Sequence, residues 1–273
     1  MSLFSGSHPF KDRHDAGRKL AEALVHLKDL HPVVLGLPRG GVPVAYEVAR
    51  ALDAQLDVLI VRKIGAPGHA ELGLGAVVDG QHPQCILNDD VVQMVRPPEG
   101  YIEAERGRQL QEIERRRALY CGARPPVRVE GRAVIVVDDG IATGGTLRAA
   151  LAALAMSGPA KLVFAVPVAP HDALENMRRV AGVEEGICLH VPEWFRAVSQ
   201  FYENFDQTSD EEVVELLGYA AQYRLGEAAE EESPHGPVEE LGAGSEIDVI
   251  PPDSVRDRRP PDSSLPQVDH PHR

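Results

Sequence analysis

Apolar residues in this chain fall into short continuous runs, separated by longer stretches in which they recur every three or four positions. The runs are Val33 to Leu37, Val58 to Val61, Arg132 to Val137, Leu162 to Pro167 and Gly186 to Val191, with Cys85 to Leu87 as a shorter one. Runs of this length, rich in β-branched residues, predict strands buried on both faces of a parallel sheet. The intervening stretches predict helices. His14 to Leu30 places Leu20, Leu24 and Leu27 on one face. Val42 to Leu52, Ile102 to Leu119, Leu147 to Met156, Ala173 to Val180 and Glu211 to Tyr223 also have helical spacing, the second of them strongly charged. Strands alternating with helices predict an α/β protein: a Rossmann-like parallel sheet with helices on both faces. A glycine-rich stretch, Gly65 to Gly80, interrupts the alternation.

Beyond about Leu225 the pattern stops. From Gly226 to Arg273 there is no Phe, Trp or Tyr, prolines recur in pairs, and 12 acids face 4 basic residues. That net charge of −8 is more than half of the −14 carried by the chain. Such a segment buries too little apolar surface to offset its ordering entropy, so residues 226–273 are expected to be a disordered acidic tail to a domain spanning 1–225. An acidic chain makes nucleic acid an unlikely partner, because that affinity rests on Lys and Arg meeting phosphates. No apolar run reaches about 18 residues, so no membrane helix is expected. Three widely spaced cysteines and an N-terminus without a secretory pattern suit a reducing cytoplasm.

Two turns carry the candidate chemistry. In Val134-Ile-Val-Val-Asp138-Asp139-Gly-Ile-Ala142-Thr143-Gly144-Gly145-Thr146, a buried strand runs into paired acids, a turn of small residues and a helix. The turn offers backbone amides at a helix start, where the dipole favours an anion. Acids at the carboxyl end of the strand lie where open α/β sheets bind ligands. Together they suit a molecule with a phosphate and hydroxyls, such as a ribose 5-phosphate. In Leu37-Pro38-Arg39-Gly40-Gly41-Val42, a second strand opens onto a helix through two glycines and an arginine whose planar fork fits phosphate oxygens. The plainer readings are a capped strand-turn-helix for the first and a tight turn with a solvated arginine for the second.

The first string resembles the signature of the type I phosphoribosyltransferases. The resemblance implies that fold, with a small hood supplied mainly by about 188–208. It implies that Asp138 and Asp139 hold the ribose hydroxyls of phosphoribosyl pyrophosphate and, directly or through water, an Mg2+ cofactor. Ala142, Thr143, Gly144, Gly145 and Thr146 would cradle the 5-phosphate, and Arg39, Gly40 and Gly41 the pyrophosphate. Such families often carry a non-proline cis peptide near Arg39-Gly40. The stretch from Arg62 and Lys63 to Glu71 resembles the flexible loop or hairpin that closes over the site. Arg62 and Lys63 would then neutralise the departing pyrophosphate, and Glu71 or His69 would move the acceptor's proton. Each is also readable as an ordinary surface residue. Relatives acting on hydroxypurines have aspartate where this chain has Ala142, which leaves the acceptor open.

The densest aromatic cluster, His190 to Phe205, follows the last predicted strand. Trp194, Phe195, Phe201 and Tyr202 are hood candidates for stacking on an acceptor base. Alternatively they pack the hood onto the sheet or form a contact in a homodimer, which such relatives commonly make. The sequence from Pro38 to about Leu217 resembles bacterial stand-alone phosphoribosyltransferases with a Pro-Arg-Gly-Gly loop. The implied activity is transfer of ribose 5-phosphate to a nitrogen nucleophile, a nucleobase or related heterocycle. A regulator that senses phosphoribosyl pyrophosphate, or a hydrolase of phosphoribosyl compounds, is the alternative.

Overall fold

The structure is a computed structural model and describes residues 8–231. The elements are α1 (Arg13–Leu24), β1 (Val33–Gly36), α2 (Gly41–Leu52), β2 (Gln55–Val58), β3 (Val61–Ala66), β4 (His69–Val78), β5 (Gln84–Leu87), α3 (Asp89–Val95), α4 (Tyr101–Cys121), β6 (Ala133–Val137), α5 (Gly145–Met156), β7 (Lys161–Val168), α6 (His171–Arg178), β8 (Glu185–His190) and α7 (Asp210–Glu231). Short 3-10 turns at Val25–Leu30 and Val198–Phe201 complete the order.

Five strands form the main sheet in the order β2-β1-β6-β7-β8, and every pair is parallel. Alternate strand residues feed opposite faces. Val34, Ile135 and Val163 join the core beneath α1, α2, α4 and α7. Val33, Val134, Val136 and Phe164 join the core beneath α5 and α6. Both faces are dry, so the strands read as unbroken apolar runs rather than alternating ones. Chain order reverses between β1 and β6. In an open α/β sheet that point is where the loops at the strands' carboxyl ends diverge and leave a crevice.

A smaller antiparallel sheet, β3-β4-β5, lies beside the main one. Its Ile64, Leu74 and Val77 share the core that contains Ile113 of α4, and its Ala76 and Val78 share the core that contains α5. The run Val58 to Val61, expected as one strand, is therefore the junction between two. Leu59 and Ile60 are buried at 3% and 2% exposure, but the Leu59 amide bonds the Gly36 carbonyl while the Ile60 carbonyl accepts from Asp79. Burial is continuous across the junction; pairing partners are not.

Two other expectations change. The helix expected over His14 to Leu30 tightens into a 3-10 turn at Val25 and ends on His31 with φ 44°. Residues 226–231, expected to open the tail, continue α7 instead. The rest of the expected tail, 232–273, lies outside the described residues. Among the described residues, no helix is long and apolar enough to cross a membrane.

Candidate active site

The two candidate turns meet at the switch point. β1 and β6 are in register from Val33–Val134 to Gly36–Val137, and the Leu37 amide extends the pairing to the Val137 carbonyl at 2.9 Å. The loops leave side by side. A Cβ on Gly41 would lie 2.8 Å from the Val137 carbonyl oxygen and 3.0 Å from the Asp138 Cα. A Cβ on Gly40 would lie 2.0 Å from Asp139 Oδ2. Glycine is required at Gly41, where a side chain would meet the other loop's backbone, whereas at Gly40 it would displace the Asp139 carboxylate and the Arg13 guanidinium. The non-proline cis peptide is at Pro38-Arg39, one residue before the expected position. Arg39, about one third exposed, reaches toward Asp210 at the start of α7, with 3.8 Å between charged atoms.

Asp138 and Asp139 stand at the end of β6, both partly buried. Burial and the neighbouring Asp139 charge push the Asp138 acid well above the usual carboxylate range, against the pull of the Asp139 amide that its Oδ1 accepts at 3.0 Å. Burial also raises Asp139, and Arg13 opposes that rise. Arg13 Nε donates to Asp139 Oδ2 at 2.8 Å. The next residues form an open turn: Ala142, Thr143 and Gly145 are exposed, and Gly144 caps α5 at φ 75° without a side-chain hydrogen bond. The first amides of α5 thus have no capping side chain.

Lys63 and Glu71 come together with this turn. They line a cleft of about 270 Å³ with Asn88, Gly145, Thr146 and Arg148. Arg62 points elsewhere: its Nε donates to Gln109 of α4 at 3.0 Å, in a depression shared with His69 and Tyr101. The stretch read as a flexible closing loop or hairpin is the β3-β4 hairpin, with its register slipping around Gly65.

The aromatic cluster divides. Phe201 and Tyr202 are buried at 8% and 3% exposure in a small core with Phe10, Ala16 and Val168. Phe195 stacks on Phe201 at 5.7 Å. Tyr202 lies 5.3 Å from Phe10, and its hydroxyl donates to the Asp139 carbonyl at 2.6 Å. Burial keeps that phenol protonated and so a donor. Phe201 and Tyr202, put forward for stacking on a base, instead bind the hood to the sheet. Trp194 is 87% exposed. The hood also has a contributor the sequence did not suggest. Residues 8–11 pair with it: the Phe10 amide bonds the Phe201 carbonyl, and the amides of Glu203 and Asn204 bond the carbonyls of Phe10 and Lys11. Arg13 and Asp210 belong to no motif and are 126 and 171 residues from the partners they meet, so local spacing holds no signal for them.

A second cleft, of about 380 Å³, is lined by Asp57, Asp79, His82, Arg117 and Glu130. It contains none of the residues the sequence put forward. Among the described residues, no three His, Cys, Asp or Glu side chains gather as a closed metal cage.

The profile of the phosphoribosyl transferase domain matches residues 10–206. Two curated relatives from strains of Mycobacterium tuberculosis, both with phosphoribosyl transferase in their names, are 47% identical over 211 residues, which is 77% of this chain and 47% of theirs. The chain thus spans about half the length of these relatives. The crystal structure of TT1426 from Thermus thermophilus is 44% identical, with a TM-score of 0.66 over 76% of this chain and 97% of that one. The profile spans both anion turns, the paired acids and the hood, and with the shared fold and identity it establishes that this chain belongs to the phosphoribosyl transferase domain family.

Proposed function

We propose that this chain uses phosphoribosyl pyrophosphate and Mg2+ to transfer ribose 5-phosphate to a nitrogen nucleophile, a nucleobase or related heterocycle, with release of pyrophosphate. The observation that carries the reading is the apposition of two anion-accepting turns on adjacent strands at the switch point, with paired acids between them. One turn suits a terminal phosphate, the other a pyrophosphate, and the acids suit the diol of the sugar that links them.

In this reading the amides and hydroxyls of Thr143 to Thr146 hold the 5-phosphate. Asp138 and Asp139 accept the ribose hydroxyls, and Arg39, Gly40 and Gly41 hold the pyrophosphate. Asp138 and Asp139 are two adjacent carboxylates, which fits a cation that takes one or two carboxylates and completes its shell with water and substrate phosphates. Asp138 and Asp139 would hold Mg2+, which when bound screens the charge of the pyrophosphate. The nucleophile's nitrogen forms the bond to the anomeric carbon as the bond to the pyrophosphate oxygen breaks. Lys63 and Glu71 line one cleft with the start of α5; in this reading Lys63 would neutralise charge developing on the leaving group and Glu71 would take the nitrogen's proton. Arg62 joins them only by leaving Gln109. Trp194 is the exposed ring available to the acceptor, and a homodimer would give it a second use.

The test is calorimetric titration of phosphoribosyl pyrophosphate into the wild type and the Asp138→Asn, Asp139→Asn double variant. Binding is expected in the first and absent in the second, with the circular dichroism of the fold retained. Unchanged affinity in the double variant would overturn the assignment. Pyrophosphate release with and without added bases separates transfer from its alternatives: a transferase needs a base, a hydrolase does not, and a regulator releases none.

A further inference from the structure

Arg13 is the first residue of α1, far in sequence from either turn, yet its guanidinium lies between them. Nε donates to Asp139 Oδ2 at 2.8 Å and sits 3.0 Å from where a Cβ on Gly40 would be. Nη1 donates to the Asp206 carbonyl at 2.6 Å, and the guanidinium carbon stands 3.9 Å above the Phe205 ring. The side chain is 12% exposed and that of Asp139 is 16% exposed. Three contacts in different directions fix the fork: a carboxylate in front, a carbonyl beside it and an aromatic face beneath it. The other handle on Asp139 is the Tyr202 hydroxyl on its backbone carbonyl. Both handles are tied to the hood: Arg13 opens the helix that follows the segment pairing with it, and Tyr202 lies within it.

We infer that Arg13 is a positioning residue for the sugar diol: it fixes the rotamer of Asp139 by occupying Oδ2 and leaves Oδ1 aimed at a ribose hydroxyl. The inference rests on the reading that Asp139 binds the ribose. The physical argument is preorganisation. An aspartate at the mouth of a crevice has two freely exchanging oxygens and loses side-chain freedom on binding. One already held by a rigid fork does not. The lysine alternative keeps the charge but cannot reach the carboxylate, the carbonyl and the ring in one planar geometry. Selection for ribose over a sugar without hydroxyls is then set in part by a residue that never touches the sugar.

The experiment compares ribose 5-phosphate with tetrahydrofurfuryl phosphate, which has the ring and phosphate but no ring hydroxyls. Dissociation constants are measured by calorimetry for the wild type, Arg13→Ala and Arg13→Lys. The wild type is expected to prefer ribose 5-phosphate by at least about tenfold, the worth of one hydrogen bond to a charged acceptor. In Arg13→Ala the preference is expected to shrink to within about twofold, with tetrahydrofurfuryl phosphate affinity unchanged, and in Arg13→Lys to fall between the two. If both variants keep the full preference, the positioning role is wrong and the functional reading stands. Equal weakening of both ligands would mean that Arg13 only supports the fold, and would also overturn the proposal. A wild type with no preference overturns the functional reading and this proposal with it. Should Arg13→Ala fail to fold, Arg13→Lys, which retains the cation and the stem packed on Phe205, decides the question.

Discussion

At the scale of single residues, the candidate site is held by close contact between loops. Gly41 touches the backbone of Val137 and Asp138, where nothing can swing aside. Gly41→Ala is expected to cost about 1–3 kcal/mol by urea unfolding, the usual penalty for forcing atoms into a packed region. A variant as stable as the wild type would show that the β1 and β6 loops are less tightly apposed. These residues were legible because their chemistry is local: paired acids, glycines and a helix start fall within a dozen positions. Arg13 was not legible. Its partner is 126 positions away, and nothing in Lys11-Asp12-Arg13-His14 departs from an ordinary capped helix start. Tyr202 and Phe201 were legible as hood aromatics, but stacking on a base and packing the hood onto the sheet both stayed open, since a ring that stacks on a ligand and one that anchors a loop have the same composition.

At the scale of elements, continuous apolar runs marked the main-sheet strands well, because burial on both faces leaves no polar alternation. They misplaced Val58 to Val61, where burial persists while the chain changes sheets. α3 escaped detection because it is only seven residues long: Val91, Val92 and Val95 pack against the core, but fewer than two turns give periodicity too little to register. The packing of α1 on α2 carries its own pH signature. Glu47 of α2, 5% exposed, meets His14 Nδ1 at 2.9 Å and Arg50 at 2.6 Å. The Glu47 hydrogen bond raises the His14 pKa above its ordinary value. The folded state therefore holds that proton more tightly than the unfolded chain. The contribution is complete below the unfolded value of about 6.5 and is lost as pH rises through the raised folded value. The melting-temperature gap between wild type and His14→Gln should be wider at about pH 5.5 than at about pH 8.5. The free-energy contribution behind it should be below about 1 kcal/mol, because a side chain 36% exposed is screened by water. A gap independent of pH would remove the charged histidine from the account.

At the scale of the whole molecule, the two sheets are joined by a buried ionic triad. Arg117 of α4 donates to Asp57 of β2 at 2.6 Å and to Asp79, just beyond β4, at 2.8 Å. Asp57 also accepts the Val127 amide at 3.0 Å. One arginine thus links the edge of the main sheet, the end of the small sheet, a long helix and the segment leading to β6. Removing it leaves two buried carboxylates facing each other. Arg117→Met is expected to cost about 3–5 kcal/mol at neutral pH, measured by denaturant unfolding. A loss under about 1 kcal/mol would mean that water reaches the acids and screens them. None of this triad was apparent in the sequence, where three charged residues in separate segments look like solvated surface. The alternation of strands and helices was enough to give the fold class, but which charges the fold would bury together depends on a topology that periodicity does not encode.

The hood's two halves, pairing His8 with Gln200 and Arg13 with Asp206, are separated by 192 and 193 residues. A ribosome making this chain would finish the β1 and β6 loops, and hence most of the proposed sugar crevice, well before Tyr202 and Asp206 emerge. Until then Asp139 stands unclamped and Arg13 has no carbonyl or ring to settle on. A nascent chain would therefore carry a half-built crevice, and the clamp on Asp139 would close only once residues 202–206 were available to it.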